Sequence, residues 1–178
     1  MTTIGIVAVG IALLLIGLLV YAATRPKVFR VRRSVDIKAA AQDLYAQISD
    51  LHAWNAWSPY EKRDPAMKRT FGAITKGVGA VYEWDGNSKV GAGRMEVLQA
   101  LPPSKILIRL DFLRPFEGHN TAEFSLDAKD DATTVTWAMY GPNAFMARLM
   151  GIFFSMDKMI GRDFESGLAN LKGLAEKK

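Results

Sequence analysis

NAFMARLMGIFFSMDKMIGRDFESGLANLKGLAEKK, residues 143–178, closes the chain and decides its architecture. Phe145, Leu149, Ile152, Met156, Ile160, Phe164, Leu168 and Leu171 recur every three or four residues, which lines them along one stripe of a helix. A long helix with a single apolar stripe must bury it against another element, and the partner here is a sheet. Gly151 and Gly161 each weaken a helix interior by about 1 kcal/mol relative to alanine, so a break near Gly151 is expected.

Upstream of this helix the pattern changes to alternation. TTVTWAMYG (133–141), NTAEFSLDA (120–128), KILIRLDFL (105–113), GRMEVLQAL (93–101), AVYEWDGNSKV (80–90) and MKRTFGAI (67–74) are short strands separated by turn residues such as Pro102-Pro103, Asp85-Gly86-Asn87 and the TKGVG run. KVFRVRRSVDI (27–37) makes a seventh strand, and the close succession predicts an antiparallel sheet. Between the first two strands, AAAQDLYAQISDLHAW (39–54) carries Leu44, Ile48 and Leu51 at helical spacing.

Alternation also assigns the faces. Ile106, Ile108, Leu110 and Phe112 share one side of their strand, Ala122, Phe124 and Leu126 another, and Val135, Trp137 and Met139 a third. Tyr82 and Trp84 oppose Glu83 and Asp85. One face is apolar and aromatic, the face that the C-terminal helix covers. Arg33 breaks the rule, because it shares parity with Phe29, Val31, Val35 and Ile37. Two explanations fit it: an exposed edge charge after a bulge, which is the simpler, or a pocket residue meeting an acidic headgroup.

The chain divides at its N-terminal end. Residues 4–23 (IGIVAVGIALLLIGLLVYAA) contain no charge and are long enough to cross a hydrocarbon layer. A cleaved signal peptide is the rival reading, since Val20-Tyr21-Ala22 resembles a cleavage site. Residues 1–3 lack Lys and Arg, however, and the apolar run exceeds a usual signal core. The expected organisation is a transmembrane anchor over 1–24 and one domain over 25–178. Arg25, Lys27, Arg30, Arg32 and Arg33 follow the span, which predicts a single-pass membrane protein with a cytoplasmic C-terminal domain.

Composition excludes several chemistries. The chain has no cysteine, which removes disulfides, thiolate nucleophiles and thiolate metal sites. Its net charge of +5 lies entirely beyond the anchor and favours a bilayer surface; no basic run is interleaved with aromatics, so nucleic acid is not an expected partner. His52 and His119 are the only histidines, and neither a metal cluster, an HExxH, a GxSxG nor an EF-hand pattern occurs. Gly77-Val78-Gly79 and Gly91-Ala92-Gly93 precede no helix and are hairpin glycines rather than a dinucleotide turn. Glu83, Asp85, Asp111 and Glu123 face outward, and Glu61 and Asp64 flank the loop before Pro65. No catalytic residue, metal ligand or cofactor is therefore expected.

The order strand, helical region, six antiparallel strands, long helix resembles the helix-grip fold of the START-like superfamily, also called SRPBCC. The resemblance covers residues 29–175. It is carried by RRSVDIKAAAQDLYAQISD, by WNAWSPYEKRDPAMKRTF, by the hairpin GVGAVYEWDGNSKVGAGRME and by the Gly-rich amphipathic C-terminal helix. That superfamily includes polyketide cyclase/dehydrase and lipid-transport families, and the segments around WSPYEK and YEWDGN are similar to a bacterial branch of it. The resemblance implies an α+β domain, its sheet of about seven strands wrapped on the long helix with an apolar cavity between them.

In such a cavity Trp54 and Trp57, with Tyr60, would close one end, either as a rim or as plugs of a filled core. Ligand-contacting residues are then expected at Trp54, Trp57, Tyr82, Trp84, Phe112, Phe124, Trp137, Phe153 and Arg33, with Tyr140 and His119 as further polar candidates. The stretch FMARLMGIFFSM (145–156) reads either as ordinary helix core or as a lid facing the bilayer. The implied function is a membrane-anchored module for a hydrophobic or amphipathic small molecule, lipids included. The alternatives are a cyclase-like enzyme that orients its substrate and a protein-interaction module similar to the cochaperone-like branch, marked by a filled cavity and an exposed apolar patch.

Overall fold

The computed structural model describes residues 2–177. Its elements run α1 (Thr3–Thr24), β1 (Val28–Ile37), α2 (Ala41–Ser49), α3 (Trp54–Trp57), α4 (Pro59–Arg63), β2 (Lys68–Phe71), β3 (Val81–Asp85), β4 (Ala92–Leu101), β5 (Lys105–Arg114), β6 (Gly118–Ala128), β7 (Thr133–Pro142), α5 (Phe145–Met150) and α6 (Met156–Ala175). The seven strands form one antiparallel sheet in the order β1-β7-β6-β5-β4-β3-β2. The first and last strands are neighbours, and the sheet curls around α6. This is the helix-grip arrangement.

The inner face follows the alternation. Ile106, Ile108, Ala122, Phe124, Leu126, Val135, Trp137 and Met139 are buried, and Phe164, Leu168 and Leu171 of α6 meet them. Gly167 permits this close packing: a Cβ there would approach the Trp137 ring to 2.8 Å and the Pro59 ring to 3.0 Å. The β3–β4 turn depends on Gly91, whose φ of 66° disfavours residues with a side chain.

α1 is long and apolar enough to cross a membrane. Thr2 caps its start by accepting a hydrogen bond from the Gly5 amide.

The break expected near Gly151 is present: α5 and α6 are separate helices, 151–155 form a linker, and Ser155 caps α6 by accepting from the Lys158 amide at 3.2 Å. The stripe therefore splits, with Phe164, Leu168 and Leu171 in the core while Phe145 is exposed. The region 52–67 is not a plain turn but contains α3 and α4.

Arg33 also differs from the sequence expectation. β1 pairs with β7 in unbroken register from Val28↔Pro142 to Ile37↔Thr133, so no bulge turns Arg33 outward. It keeps its inward parity and is half-buried against α6, over Gly161.

Candidate functional site

Four of the expected site residues converge at the centre. Trp54 and Trp57 lie 4.8 Å apart between ring centroids, Phe124 stacks on Trp137 at 5.0 Å, and the two tryptophans meet that pair edge-on at 5.7–6.2 Å. Phe164 of α6 closes the group by stacking on Trp137 at 4.1 Å. Trp57 is fully buried. The indole N–H groups of Trp54 and Trp57 donate to the Ile48 and Gln47 carbonyls, which ties α3 to α2. Trp137 Nε1 is buried and has no acceptor among the described residues. These aromatics pack against one another at the centre of the domain.

A second aromatic band runs across β2, β3 and β5. His52 stacks on Phe71 at 3.8 Å, Phe71 meets Tyr82 at 5.0 Å, Tyr82 meets Trp84 at 6.2 Å, and Trp84 meets Phe112 edge-on at 5.9 Å. Trp84, Leu110 and Phe112 are half-buried inward-facing residues packed against the core. The Trp84 indole lies flat against Gly93 on β4, where any side chain would displace it, and donates to the Val90 carbonyl at 3.2 Å. This wall is apolar, preorganised and reachable from solvent.

A polar cluster adjoins it. Glu61 of α4 is buried; its two carboxylate oxygens accept from the Tyr82 hydroxyl and from Arg69 Nε, each at 2.6 Å. Arg69 also donates to the Met67 carbonyl at 2.7 Å. Burial first, and the Glu61 hydrogen bond second, push the Tyr82 phenol above its ordinary value, so it stays protonated near neutral pH. Glu61 reads from sequence as a loop-flanking carboxylate. The signal that finds it is the inward parity of Tyr82, because a buried tyrosine hydroxyl requires a partner.

Arg33 is already engaged. It donates to Glu165 at 2.6 Å, to both Asp157 oxygens at 3.0 Å, to the Asp157 carbonyl and to the Arg32 carbonyl. The Arg33 guanidinium in turn holds the Asp157 carboxyl below its usual range. Arg33 thus clasps α6 to β1. Phe153 is not brought to the other eight residues: it lies in the α5–α6 linker, 67% exposed. His119 pairs with Asp111 on the outer face, and Asp111 raises its pKa. Tyr140 reaches Glu123 at 3.4 Å and stacks under Arg30. Both are near a surface hollow of about 470 Å³, lined also by Arg109 and Thr121; a second, of about 370 Å³, lies beside the β6–β7 turn. Neither hollow is lined by the inner aromatics.

The fold has many solved counterparts. Protein CV1439 from Chromobacterium violaceum aligns with 17% identity and a TM-score of 0.58, over 85% of this chain and 99% of that one. The di-domain ARO/CYC StfQ from the steffimycin biosynthetic pathway aligns with 12% identity and a TM-score of 0.62, over 84% of this chain and 51% of that one. The Aha1 dimer structure from Colwellia psychrerythraea aligns with 15% identity and a TM-score of 0.57, over 83% of this chain and 96% of that one. No curated protein sequence matches the chain. These likenesses and the curled sheet define a helix-grip fold. The family profile described as "Polyketide cyclase / dehydrase and lipid transport" matches residues 28–176, and the chain belongs to that family.

Proposed function

We propose that the protein is a membrane-tethered module that binds a hydrophobic or amphipathic small molecule, lipids included, against the Trp84–Leu110–Phe112 wall. The observation that carries this reading is the division of the inner face. The central aromatics are packed against one another, whereas Trp84 and Phe112 present half-buried rings on the same apolar face. Apolar walls with a few placed polar groups are the usual form of a small-molecule site. Family membership supports a hydrophobic small molecule as the ligand. α1 would hold the domain at the bilayer, and the basic run from Arg25 to Arg33 supports a cytoplasmic orientation.

Native mass spectrometry of the full chain, released from membranes in mild detergent, tests this reading. A mass increment that organic extraction removes, and that Trp84→Ala diminishes, is the expected result. A bare mass that persists after incubation with lipid extracts overturns it. The packed centre around Trp57 favours a second reading, a protein-interaction module. A bare protein that co-purifies with a stoichiometric protein partner would establish it.

A further inference from the structure

The apolar stretch that the core leaves unused lies at the exit of α1. Phe145, Met146, Met150, Phe153, Phe154 and Met159 are all exposed, the two adjacent phenylalanines at 67% and 69%. Residues 142–156 contain one charge, Arg148, and no carboxylate. Contiguous exposed apolar surface of this kind requires an occupant.

Contacts to α1 identify the occupant. Arg148 Nη1 donates to the Ala23 and Arg25 carbonyls at 3.0 and 3.2 Å, capping the C-terminal end of α1, whose last turn has no basic residue of its own. Asn143 ties the start of the same segment to Lys27 and Pro26 through bonds of 2.8 and 3.0 Å. Ala22 is completely covered. α5 is therefore held at the depth where α1 ends. At that level Arg25 lies over the Tyr21 ring, an aromatic and basic pair suited to a headgroup layer. The chain has no acidic residue before Asp36, so the segment that leaves α1 carries only positive charge and complements anionic lipid.

We propose that α5 and the α5–α6 linker form a second membrane contact, lying in the bilayer interface beside α1 with Met146, Met150, Phe153 and Phe154 in the acyl boundary. The inference rests on the reading that α1 remains in the bilayer. Its consequence is a fixed posture: the domain is held at two points instead of swinging on one linker. The β6–β7 turn lies at the far end of the β1–β7 ladder, which runs from Val28↔Pro142 beside α1 to Ile37↔Thr133, about 30 Å at the rise of a strand.

Since the chain has no cysteine, one introduced thiol labels one site. The full chain carrying Phe153→Cys or Asp130→Cys, the latter in the exposed β6–β7 turn, is labelled with an environment-sensitive dye. Each variant is then reconstituted in vesicles of phosphatidylcholine and phosphatidylglycerol with or without brominated acyl chains. The expected result is blue-shifted emission at 153, quenched by the brominated chains several-fold more than at 130. Water-like emission at 153 overturns the proposal. So does blue-shifted emission that brominated lipid leaves unquenched, which would mean that the patch closes on the protein itself or on a second copy. Alkaline extraction of the same vesicles separates the two failures. Protein released by carbonate disproves the anchor, whereas retained protein with an unquenched label disproves only the second contact. A Phe154→Cys variant repeats the measurement should Phe153→Cys fold poorly.

Discussion

The guanidinium of Arg33 lies against the backbone of Gly161, in the space that any side chain at that position would occupy. One glycine in a helix and one arginine in a strand therefore form a single device. The helix gives up a methyl group so that β1 can reach Asp157 on one side of Gly161 and Glu165 on the other.

This coupling predicts a change of sign. Gly161→Ala adds about 1 kcal/mol of helix propensity but drives Arg33 off its carboxylates. In the native chain the substitution should leave the urea midpoint unchanged or lower it. In an Arg33→Ala background only the helix effect remains, and the same substitution should raise it. Equal shifts in both backgrounds would show that the two residues act independently.

The two aromatic groups should separate stability from binding. Trp57→Ala empties a fully buried site and should destabilise by about 3–5 kcal/mol in urea titrations. Trp84→Ala removes a half-buried ring, should destabilise by roughly 1–2 kcal/mol, and should reduce ligand retention in native mass spectra. Equal ligand retention in the two variants would exclude the wall as the site.

Glu61 supports the wall from behind. Glu61→Ala leaves the Tyr82 hydroxyl and Arg69 without their common acceptor and should destabilise by about 3 kcal/mol. Glu61→Gln retains an acceptor for Tyr82 and should lose markedly less. Thermal unfolding of both variants checks the order.

Alkaline pH should ionise two shielded phenols, the half-buried Tyr60 and the buried Tyr82. Burial raises the pKa of Tyr60 and Tyr82, with Asp163 and Glu61 adding to it. The unfolded chain ionises tyrosine near pH 10 while the folded chain resists. The associated stability is thus complete below about pH 10 and falls as pH rises above it. Tyr60→Phe and Tyr82→Phe should each flatten that decline in urea titrations run from neutral to alkaline pH.

The sheet was legible because period-2 alternation is strong wherever one face is buried, as from Ile106 to Phe112. The bounds of every strand from β4 to β7 fall within two residues of those read from spacing. The break at Gly151 was legible for the same local reason. Arg33 was not, because alternation assigns a direction but cannot supply the partner that makes an inward charge acceptable; Asp157 and Glu165 lie more than a hundred residues away. Phe145 misled in the opposite sense. Helical spacing linked the two halves of residues 143–178 into one stripe, and once the linker interrupts the helix that phase no longer carries across it. Whether an aromatic such as Trp57 lines a space or fills it depends on four neighbours from four elements, which no local pattern encodes.

The pairing of β1 with β7 also orders events during synthesis. β1 emerges directly after α1, yet its hydrogen-bonding partner is complete only once Pro142 has been made. Until then a strand with an open edge waits at the ribosome exit while β2 to β6 can already zip up hairpin by hairpin. The ladder that welds the domain to its N-terminal helix is the last part of the sheet to close, so a nascent chain stalled before β7 holds a nearly finished sheet attached by an unpaired strand.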